Sequence, residues 1–281
     1  MQLKKPRVTI GMPVRHGARS LAQAIASWTA QTYTDFQLIV SDNASTDETE
    51  QIAREAAAQD PRIRYIRQPA NLGLEGNFDF VLSQATTPYF TWAAADDVRS
   101  PDYLKLTVDF LDTHSEYTGA TCPARFDDGE SDPLWMGDGS REENCRFERV
   151  LQFFGTLHAN ARMYALWRTA ALADLRFSNY RYLAGDWTLV TTLLSRGKFK
   201  RLEEGTVTLG SRGLSNSKNI FNTYRRHRRE WVFPLYEVTR HARRLFAGAS
   251  LKQHARLYRR LWRLNRVECV LQWKYRHGGD T

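Results

Sequence analysis

Two adjacent aspartates, Asp96 and Asp97, follow the short apolar segment TWAAA at residues 91–95. Aromatic and small side chains over residues 88–94 predict a buried strand that ends at these carboxylates. Adjacent carboxylates repel each other unless a cation neutralises them. Because ligands of open α/β sheets bind at the carboxyl ends of strands, the pair could hold a divalent metal with a diphosphate. The competing interpretation is a turn that caps a helix over residues 101–114.

Asp42 follows the apolar segment at residues 36–40, so its carboxylate is expected at the same edge of the sheet. It could accept a hydrogen bond from the imide N–H of uracil or thymine, or from the N–H groups of guanine. In the alternative interpretation the segment only builds a turn, and Ser45 with Glu48 forms a capping box for the next helix.

Further polar residues follow the first and third predicted strands. Pro13 and Val14 offer backbone groups, and Arg15 offers a cation, for a base or a phosphate. Asn71 provides an amide after the third strand, and Asn77 lies one helical turn further on. We therefore expect a ligand site built from several loops at one edge of the sheet.

The elements that would position these residues are visible in the hydrophobic pattern. The first 120 residues alternate between apolar runs and amphipathic segments, which predicts a parallel sheet with helices on both faces. The predicted strands cover residues 8–12, 36–40, 63–66 and 88–94, and the predicted helices cover residues 21–32, 45–58, 75–83 and 101–114. Such an order of elements is typical of nucleotide-binding proteins.

Residues 120–215 give a more mixed pattern. The acidic, glycine-rich residues 126–143 predict a loop. The remaining predicted elements are strands at 119–123, 162–167, 199–202 and 207–209, helices at 147–154 and 187–195, and a short helix from Thr169.

The charge is unevenly placed along the 281 residues. Residues 220–281 contain 13 Arg and 2 Lys against 4 acidic residues, a net charge of +11. The whole chain carries +9, so residues 1–219 carry about −2. We therefore predict a boundary between a nearly neutral body at residues 1–215 and a basic extension at residues 216–281.

The extension is predicted to be helical and amphipathic. Its leucines and valines recur every three or four residues, with arginine on the other face: Leu257, Leu261, Leu264, Val267 and Leu271. Pro234 and Gly248 are expected to divide it into separate helices. The apolar stripe could pack on the body or on a second subunit, and the helices could also lie on an anionic membrane.

Composition excludes several classes of protein. The three cysteines form no C-x-x-C pair, so neither a disulfide framework nor a zinc site is indicated. The amino terminus lacks the pattern of a signal peptide, and no stretch approaches the ~18–20 apolar residues that cross a bilayer. We expect a cytoplasmic protein that either stays free or lies on the inner face of the membrane.

Taken together, residues 8–105 resemble the amino-terminal half of family 2 glycosyltransferases. The resemblance lies in the run VTIGMPVRHGARSLAQAIASWTAQTYTDFQLIVSDNASTDET and in the later blocks NLGLEGNF and WAAADDVRSPDYL. It implies the GT-A fold, with a Rossmann-like mixed central sheet and helices on both faces. It further implies a nucleotide-sugar-binding half at residues 1–118, an acceptor and catalytic half at residues 119–215, and Mg²⁺ or Mn²⁺ on the donor diphosphate.

By position in this resemblance, Asp42 corresponds to the residue that reads the base, with Pro13 and Val14 beside the base. Asp96 corresponds to the last carboxylate of the family's Asp-x-Asp metal motif, and Asp97 follows it. Ala94 stands where the first aspartate of that motif would be. Weak or dispensable metal dependence is therefore one expectation.

The second half contributes the expected catalytic carboxylate. Asp186 resembles the family's acidic residue that takes the proton of the acceptor hydroxyl. Arg212 stands near the position of an Arg-x-His pair and could neutralise the leaving diphosphate, or it could be a solvated loop residue. His158 and Asn160 fall where relatives shape the pocket for donor and acceptor, although His158 could equally be a capping residue.

The resemblance implies an inverting transfer of a sugar from a nucleoside diphosphate, with UDP or dTDP favoured, to a hydroxyl of a glycan or lipid-linked acceptor. The missing aspartate at position 94 leaves open a catalytically silent subunit that binds sugar nucleotides or acts as a scaffold. The arginine-rich extension raises a third hypothesis, a nucleic-acid binder. The nearly neutral body argues against it, so no nucleic-acid partner is expected.

Overall fold

The computed structural model describes residues 5–211 and 220–277, and in the last helix it describes side chains as far as Lys274. The strands of this part of the chain are β1 (Val8–Val14), β2 (Phe36–Asp42), β3 (Ile63–Arg67), β4 (Tyr89–Trp92), β5 (Val98–Arg99), β6 (Tyr117–Thr121), β7 (Ala124–Phe126), β8 (Leu166–Arg168), β9 (Lys198–Arg201) and β10 (Val207–Leu209).

The α-helices of the same residues lie between and after these strands. They are α1 (Leu21–Thr29), α2 (Thr49–Gln59), α3 (Gly73–Ser83), α4 (Tyr103–Thr113), α5 (Pro133–Met136), α6 (Arg146–Phe153), α7 (Thr169–Leu172), α8 (Gly185–Arg196), α9 (Ile220–Tyr224), α10 (Tyr236–Leu245) and α11 (Leu251–His277). None of these helices is both long enough and apolar enough to span a bilayer.

The central sheet has seven strands in the order β3-β2-β1-β4-β8-β6-β9. Strand β8 runs antiparallel to β4 and β6, whereas the other neighbouring pairs are parallel. This arrangement confirms the predicted mixed sheet with helices on both faces. A smaller sheet in the order β5-β10-β7 joins the segment after Asp97 to the segment before Gly210.

Strand β1 continues two residues beyond the prediction, through Pro13 to Val14. Pro13 is opposite Ser41 of β2, where no N–H from the proline is needed. On the other side of β1, the pairing with β4 ends at Gly11 and Trp92. Because Pro13 lies beyond that end, its missing N–H leaves no hydrogen bond unmade in the sheet.

Two apolar clusters cover the two faces of the sheet. One joins β1 and β2 to α1, α2 and α4, and includes Trp28 and Tyr103. The other joins α3, α6 and α8 and also contains residues of the basic extension, among them Leu257, Leu261 and Leu264. One face of the extension therefore packs on the body of its own chain. The predicted boundary at residues 215 and 216 lies outside the described residues.

Three local predictions are wrong. Helix α2 begins at Thr49 without a side-chain cap from Glu48, and the Ser45 hydroxyl instead accepts a hydrogen bond from the backbone N–H of His16 at 2.9 Å. The predicted loop at 126–143 contains α5. The predicted strand at 162–167 starts as the 3₁₀ turn Ala161–Tyr164. The buried Arg162 side chain donates to the Gly139 carbonyl at 3.0 Å, a long-range contact that periodicity does not reveal.

Candidate active site

A cavity of about 550 Å³ opens where β1 and β4 end. That volume lies within the range of small-molecule sites in proteins. Its polar wall comes from both halves of the chain and from α9, namely Arg15, His16, Ser20, Glu75, Asp96, Asp97, Asn160, Asp186 and Tyr224. Pro13 and Val14 also line it, so the predicted first loop does contribute to this cavity.

Asp96 and Asp97 differ in their surroundings although they are neighbours. Asp96 is accessible from the cavity, whereas Asp97 is buried and forms an ion pair of 3.2 Å with the fully buried guanidinium of Arg99. Asp97 also accepts a hydrogen bond of 3.1 Å from the backbone N–H of Gly210. A Cβ at Gly210 would lie 2.3 Å from the Asp96 carboxylate, so a larger residue there would displace that side chain.

Both carboxyl groups are harder to ionise than an ordinary aspartate. Burial raises the pKa of Asp97 to about 6, even though Arg99 opposes the shift. Partial burial raises the pKa of Asp96, and the nearby carboxylate of Asp127 raises it further. Positive charge is therefore favourable beside both carboxyl groups. Arg99 already supplies it to Asp97, and a metal ion at Asp96 stays a prediction.

Asp186 lies in the first turn of α8 and lines the same cavity. Its Oδ2 accepts a hydrogen bond of 2.7 Å from the side-chain amide of Asn160. Burial raises the pKa of Asp186, and the Asn160 amide partly offsets that effect because it stabilises the charged form. Gly185 is required beside it, since a Cβ there would lie 1.8 Å from the carbonyl oxygen of Tyr180.

His158 lies behind this pair and is not among the residues that line the cavity. Its ring stacks on Trp187 with centroids 4.6 Å apart. Nδ1 accepts a hydrogen bond from the backbone N–H of Asn160 at 3.1 Å, so Nε2 carries the proton and faces the carbonyl of Phe153. Burial lowers the pKa of His158 well below its usual range, which keeps the ring neutral. The ring therefore bonds the backbone of the loop before Asn160 and does not face the cavity.

Asp42 is fully buried and is not part of the cavity wall. Its two oxygens accept hydrogen bonds from the backbone N–H of Ser45, the hydroxyl of Tyr65 and the guanidinium of Arg67, at 2.8 to 2.9 Å. In the sheet register it is paired with Val14, which does line the cavity. Of these predicted carboxylates, Asp96 and Asp186 line the cavity, whereas Asp42 lies on β2, next to β1 and outside the wall.

Neither predicted asparagine of the third loop lines the cavity. Asn77 is buried and hydrogen-bonded to the side chain and the carbonyl of Ser41. Asn71 accepts hydrogen bonds from the side chain of Asn43 and the N–H of Gly73. These contacts connect α3 to the end of β2. Arg212, the other predicted donor-binding residue, lies outside the described residues.

Strained backbone is concentrated at the ligand edge of the sheet. Four described residues other than glycine have a φ near +55°, in the left-handed region: His16, Ala44, Asn160 and Ala184. His16 and Ala44 lie in the loops after β1 and β2. The side chain of Asn160 is hydrogen-bonded to Asp186, and Ala184 precedes Asp186 by two residues. Such strain persists only where surrounding contacts enforce it, and it is typical of functional sites.

Comparison with known sequences identifies the family. Residues 9–176 match the family described as glycosyl transferase family 2. The chain belongs to this family. Over 113 residues it is 36% identical to the putative glycosyltransferase EpsE of Bacillus subtilis (strain 168), a match that covers 40% of this chain and 41% of EpsE. The chain thus spans about two fifths of the length of that relative.

Solved structures share the fold of this family 2 chain. TarS of S. aureus, in complex with UDP-GlcNAc, has a TM-score of 0.66 at 18% identity, covering 89% of this chain and 69% of TarS. The mannosyltransferase PcManGT of Pyrobaculum calidifontis, in complex with GDP-Man and Mn²⁺, has a TM-score of 0.59 at 16% identity, covering 97% and 85%. At this identity the likeness establishes the GT-A fold.

The oxygen atoms beside β4 suit a hard divalent cation. Asp96 presents its carboxylate to the cavity, and that of Asp127 is close enough to affect its pKa. Oxygen ligands of this kind are those that Mg²⁺ and Mn²⁺ prefer. Asp97 is less suited to the role, because its charge is already paired with Arg99.

Sequence reasoning missed several residues of the cavity wall, among them Glu75 and Tyr224. Glu75, in the first turn of α3, is almost fully buried and lies 3.9 Å from Arg181. Tyr224 belongs to α9 of the basic extension, and its burial, with Glu75 and Asp186 nearby, raises its pKa to about 12. The acidic first turn of α3 is a local signal for Glu75. No local signal indicates Tyr224, since only the packing of the extension on the body brings it to the cavity.

Proposed function

We propose that this family 2 chain is an inverting glycosyltransferase that moves a sugar from a nucleoside diphosphate to an acceptor hydroxyl. One observation carries the proposal: Asp96 and Asp186, from different halves of the chain, line the same cavity. Asp96 has the position suited to the donor diphosphate, and Asp186 has the position suited to a base. The hydrogen bond from Asn160 supports this role because it fixes the orientation of the Asp186 carboxylate.

In the proposed reaction the acceptor oxygen attacks the anomeric carbon while its proton passes to Asp186. The bond from that carbon to the diphosphate breaks, and its electron pair leaves with the nucleoside diphosphate. Attack and departure occur on opposite faces, which inverts the anomeric configuration. The raised pKa of Asp186 favours retention of the proton it receives.

Asp96 is the proposed protein ligand for Mg²⁺ or Mn²⁺, with Asp97 behind it. When bound, the cation supplies positive charge to the diphosphate as the sugar–phosphate bond breaks. PcManGT, in complex with GDP-Man and Mn²⁺, supports such a cofactor by analogy. Because Ala94 provides no ligand, we propose that the diphosphate and water supply most of the coordination.

The donor is proposed to be a UDP- or dTDP-sugar, with TarS and its UDP-GlcNAc as the structural analogy. Asp42 is retained as the candidate base-reading residue. In that role Asp42 would need the base to bind beside Val14 of β1, which is its partner in the sheet.

The acceptor is proposed to be a glycan or a lipid-linked saccharide. The cavity wall includes three tyrosines whose rings can pack on sugars: Tyr164, Tyr180 and Tyr182.

The test begins with thermal-shift screening of UDP-, dTDP- and GDP-sugars with and without Mn²⁺. Transfer or hydrolysis of the best donor is then compared between the wild type and Asp186→Asn. We expect the variant to keep donor affinity and to lose ~100-fold or more in kcat, as for removal of a general base. Asp174→Asn, the same change at a residue paired on the surface with Arg196, is the matched control and should behave like the wild type.

A variant with turnover close to the wild type would remove Asp186 from the mechanism. Donor binding without turnover by the wild type across all donors and acceptors would instead favour the silent subunit. Absence of binding to any sugar nucleotide, combined with salt-sensitive binding of RNA or DNA, would favour the nucleic-acid hypothesis.

A further inference from the structure

Helix α11 has a second apolar face that is exposed among the residues the structure describes. Leu257, Leu261 and Leu264 are buried against the body. A different set of large side chains points to solvent and lies along one line of the helix: Leu251, Tyr258, Trp262 and Trp273. Trp262 is 54% exposed and Trp273 is 62% exposed, far more than tryptophans that stabilise a fold. We call these four residues the aromatic strip.

The spacing makes the strip continuous. Consecutive members are seven, four and eleven residues apart. Each spacing is within one residue of a whole number of helical turns, so the four side chains lie on the same side of the helix. At 1.5 Å per residue, the strip extends about 33 Å along the surface. Contiguous exposed apolar surface of this kind marks an interaction site in soluble proteins.

Cations border the aromatic strip along its length. Lys252, Arg259, Arg266 and Lys274 are all exposed on the same helix. The guanidinium of Arg266 lies 4.7 Å from the centre of the Trp262 ring, which places cation and aromatic ring side by side. The acidic residue of α11, Glu268, is half-buried and does not offset this exposed positive charge.

We infer that the aromatic strip docks flat on an anionic membrane surface. Tryptophan and tyrosine rings prefer the boundary between headgroups and acyl chains, and neighbouring Lys and Arg side chains reach lipid phosphates. A second copy of the chain fits less well, because pairing two strips would bring two rows of cations together. The helix binds along the surface without crossing the bilayer, in keeping with its many charges. This inference does not depend on the proposed transfer reaction.

The test is flotation of the full chain with vesicles of phosphatidylcholine alone or mixed with phosphatidylglycerol. We expect binding to the mixed vesicles and little binding to phosphatidylcholine. The double variant Trp262→Ser/Trp273→Ser should weaken binding to the mixed vesicles by about tenfold or more. Arg259→Gln/Arg266→Gln should also weaken it by about tenfold or more, because each surface cation contributes to attraction by anionic lipid.

The matched control is Leu134→Ser/Trp135→Ser, which removes an exposed apolar pair on α5, a helix outside the basic extension. It should bind vesicles like the wild type. Circular dichroism melting of each variant checks the fold, which changes at exposed side chains should preserve. Equal binding to both kinds of vesicle, or full binding by the tryptophan variant, would overturn the inference. A different outcome would also overturn it: a wild type that binds no vesicles but forms dimers at higher concentration, with dimerisation lost in the tryptophan variant. A second copy of the chain would then cover the aromatic strip.

Discussion

The side-chain amide of Asn160 donates a hydrogen bond of 2.7 Å to Oδ2 of Asp186, 26 residues further along the chain. The backbone of Asn160 is in turn held by Nδ1 of His158. The neutral ring of His158 stacks on Trp187, the residue after Asp186. Contacts through Asn160 and Trp187 therefore fix the orientation of the Asp186 carboxylate. Asp186 itself is the residue of this group that needs to touch substrate.

Replacing Asn160 with glycine should move the acid limb of the pH–rate profile to higher pH. Glycine tolerates the left-handed φ of Asn160, so the change removes the amide with little strain. Without that donor the pKa of Asp186 rises further, and a base loses activity as pH falls through its pKa. A hydrogen bond to a charged group is worth roughly 1.5–3 kcal/mol, so a shift of about one to two pH units is expected.

Initial rates of transfer between pH 4 and 9 at saturating donor would measure this shift, with pH values chosen around the ordinary aspartate and histidine ranges. Asn160→Asp serves as a companion variant, because a second carboxylate should raise the pKa of Asp186 more than glycine does. An acid limb that stays in place in both variants would show that the Asn160 contact does not control the ionisation of the base.

Local signals explain which parts of the fold and site could be predicted from the sequence. Strands β1, β2 and β4 are mostly apolar and buried, and Asp186 lies at the start of a clear apolar helix. The ion pair of Asp97 with Arg99, by contrast, depends on β5 joining a second sheet. Gly210, which contacts both aspartates, is 113 residues from Asp97 in sequence. Two of the three hydrogen bonds to Asp42 likewise come from Tyr65 and Arg67 of β3, which the sequence alone does not place beside it.

Replacing Gly185 with alanine should disturb the site through its backbone. The new Cβ would lie 1.8 Å from the Tyr180 carbonyl oxygen, so the first turn of α8 must shift. We expect a loss of about 2–3 kcal/mol in the free energy of unfolding and, from the displaced Asp186, at least about a tenfold loss of kcat. Urea titration and steady-state kinetics measure the two effects.

Gly139→Ala is the matched control for that substitution, because the nearest atoms to its added Cβ are 3.7 Å away. It should unfold at nearly the wild-type urea concentration. If Gly185→Ala were as stable and as active as this control, the close contact at Tyr180 would not constrain Asp186.

Removing Arg99 should destabilise the fold because it leaves Asp97 buried without its partner. Arg99→Met is expected to lower the free energy of unfolding by about 3–5 kcal/mol at neutral pH. Asp97→Asn in the same chain should restore part of that loss, giving a coupling of at least about 1 kcal/mol in a double-mutant cycle. Lys105→Met, in the exposed pair with Asp109, should change stability by less than about 0.5 kcal/mol. Strict additivity of Arg99→Met and Asp97→Asn would contradict the assigned pairing.

The Asp96→Asn variant should show whether Asp96 binds a metal ion or acts in another way. With Mn²⁺ present, the variant should bind the donor less tightly and need more Mn²⁺ for half-maximal activity. With a chelator present, it should bind the donor at least as tightly as the wild type, since a carboxylate that repels the diphosphate is gone. Titration calorimetry under both conditions tests this reversal. An equal loss of affinity with and without Mn²⁺ would show that Asp96 acts on the donor directly.

Glu268 should make the stability of the protein depend on pH. Burial on α11 raises its pKa to about 7, well above the ordinary value of 4.5. The protonated form is therefore favoured in the folded state, and the stability that it contributes is complete below pH 4.5 and is lost as pH rises through 7. Glu268→Gln should raise the free energy of unfolding by roughly 1–2 kcal/mol above the folded-state pKa and change it little in acid. Urea unfolding across this range measures the difference, with Glu203→Gln at an exposed site as the control. A stabilisation that is the same at both ends of the range would mean that the ionisation of Glu268 is not its cause.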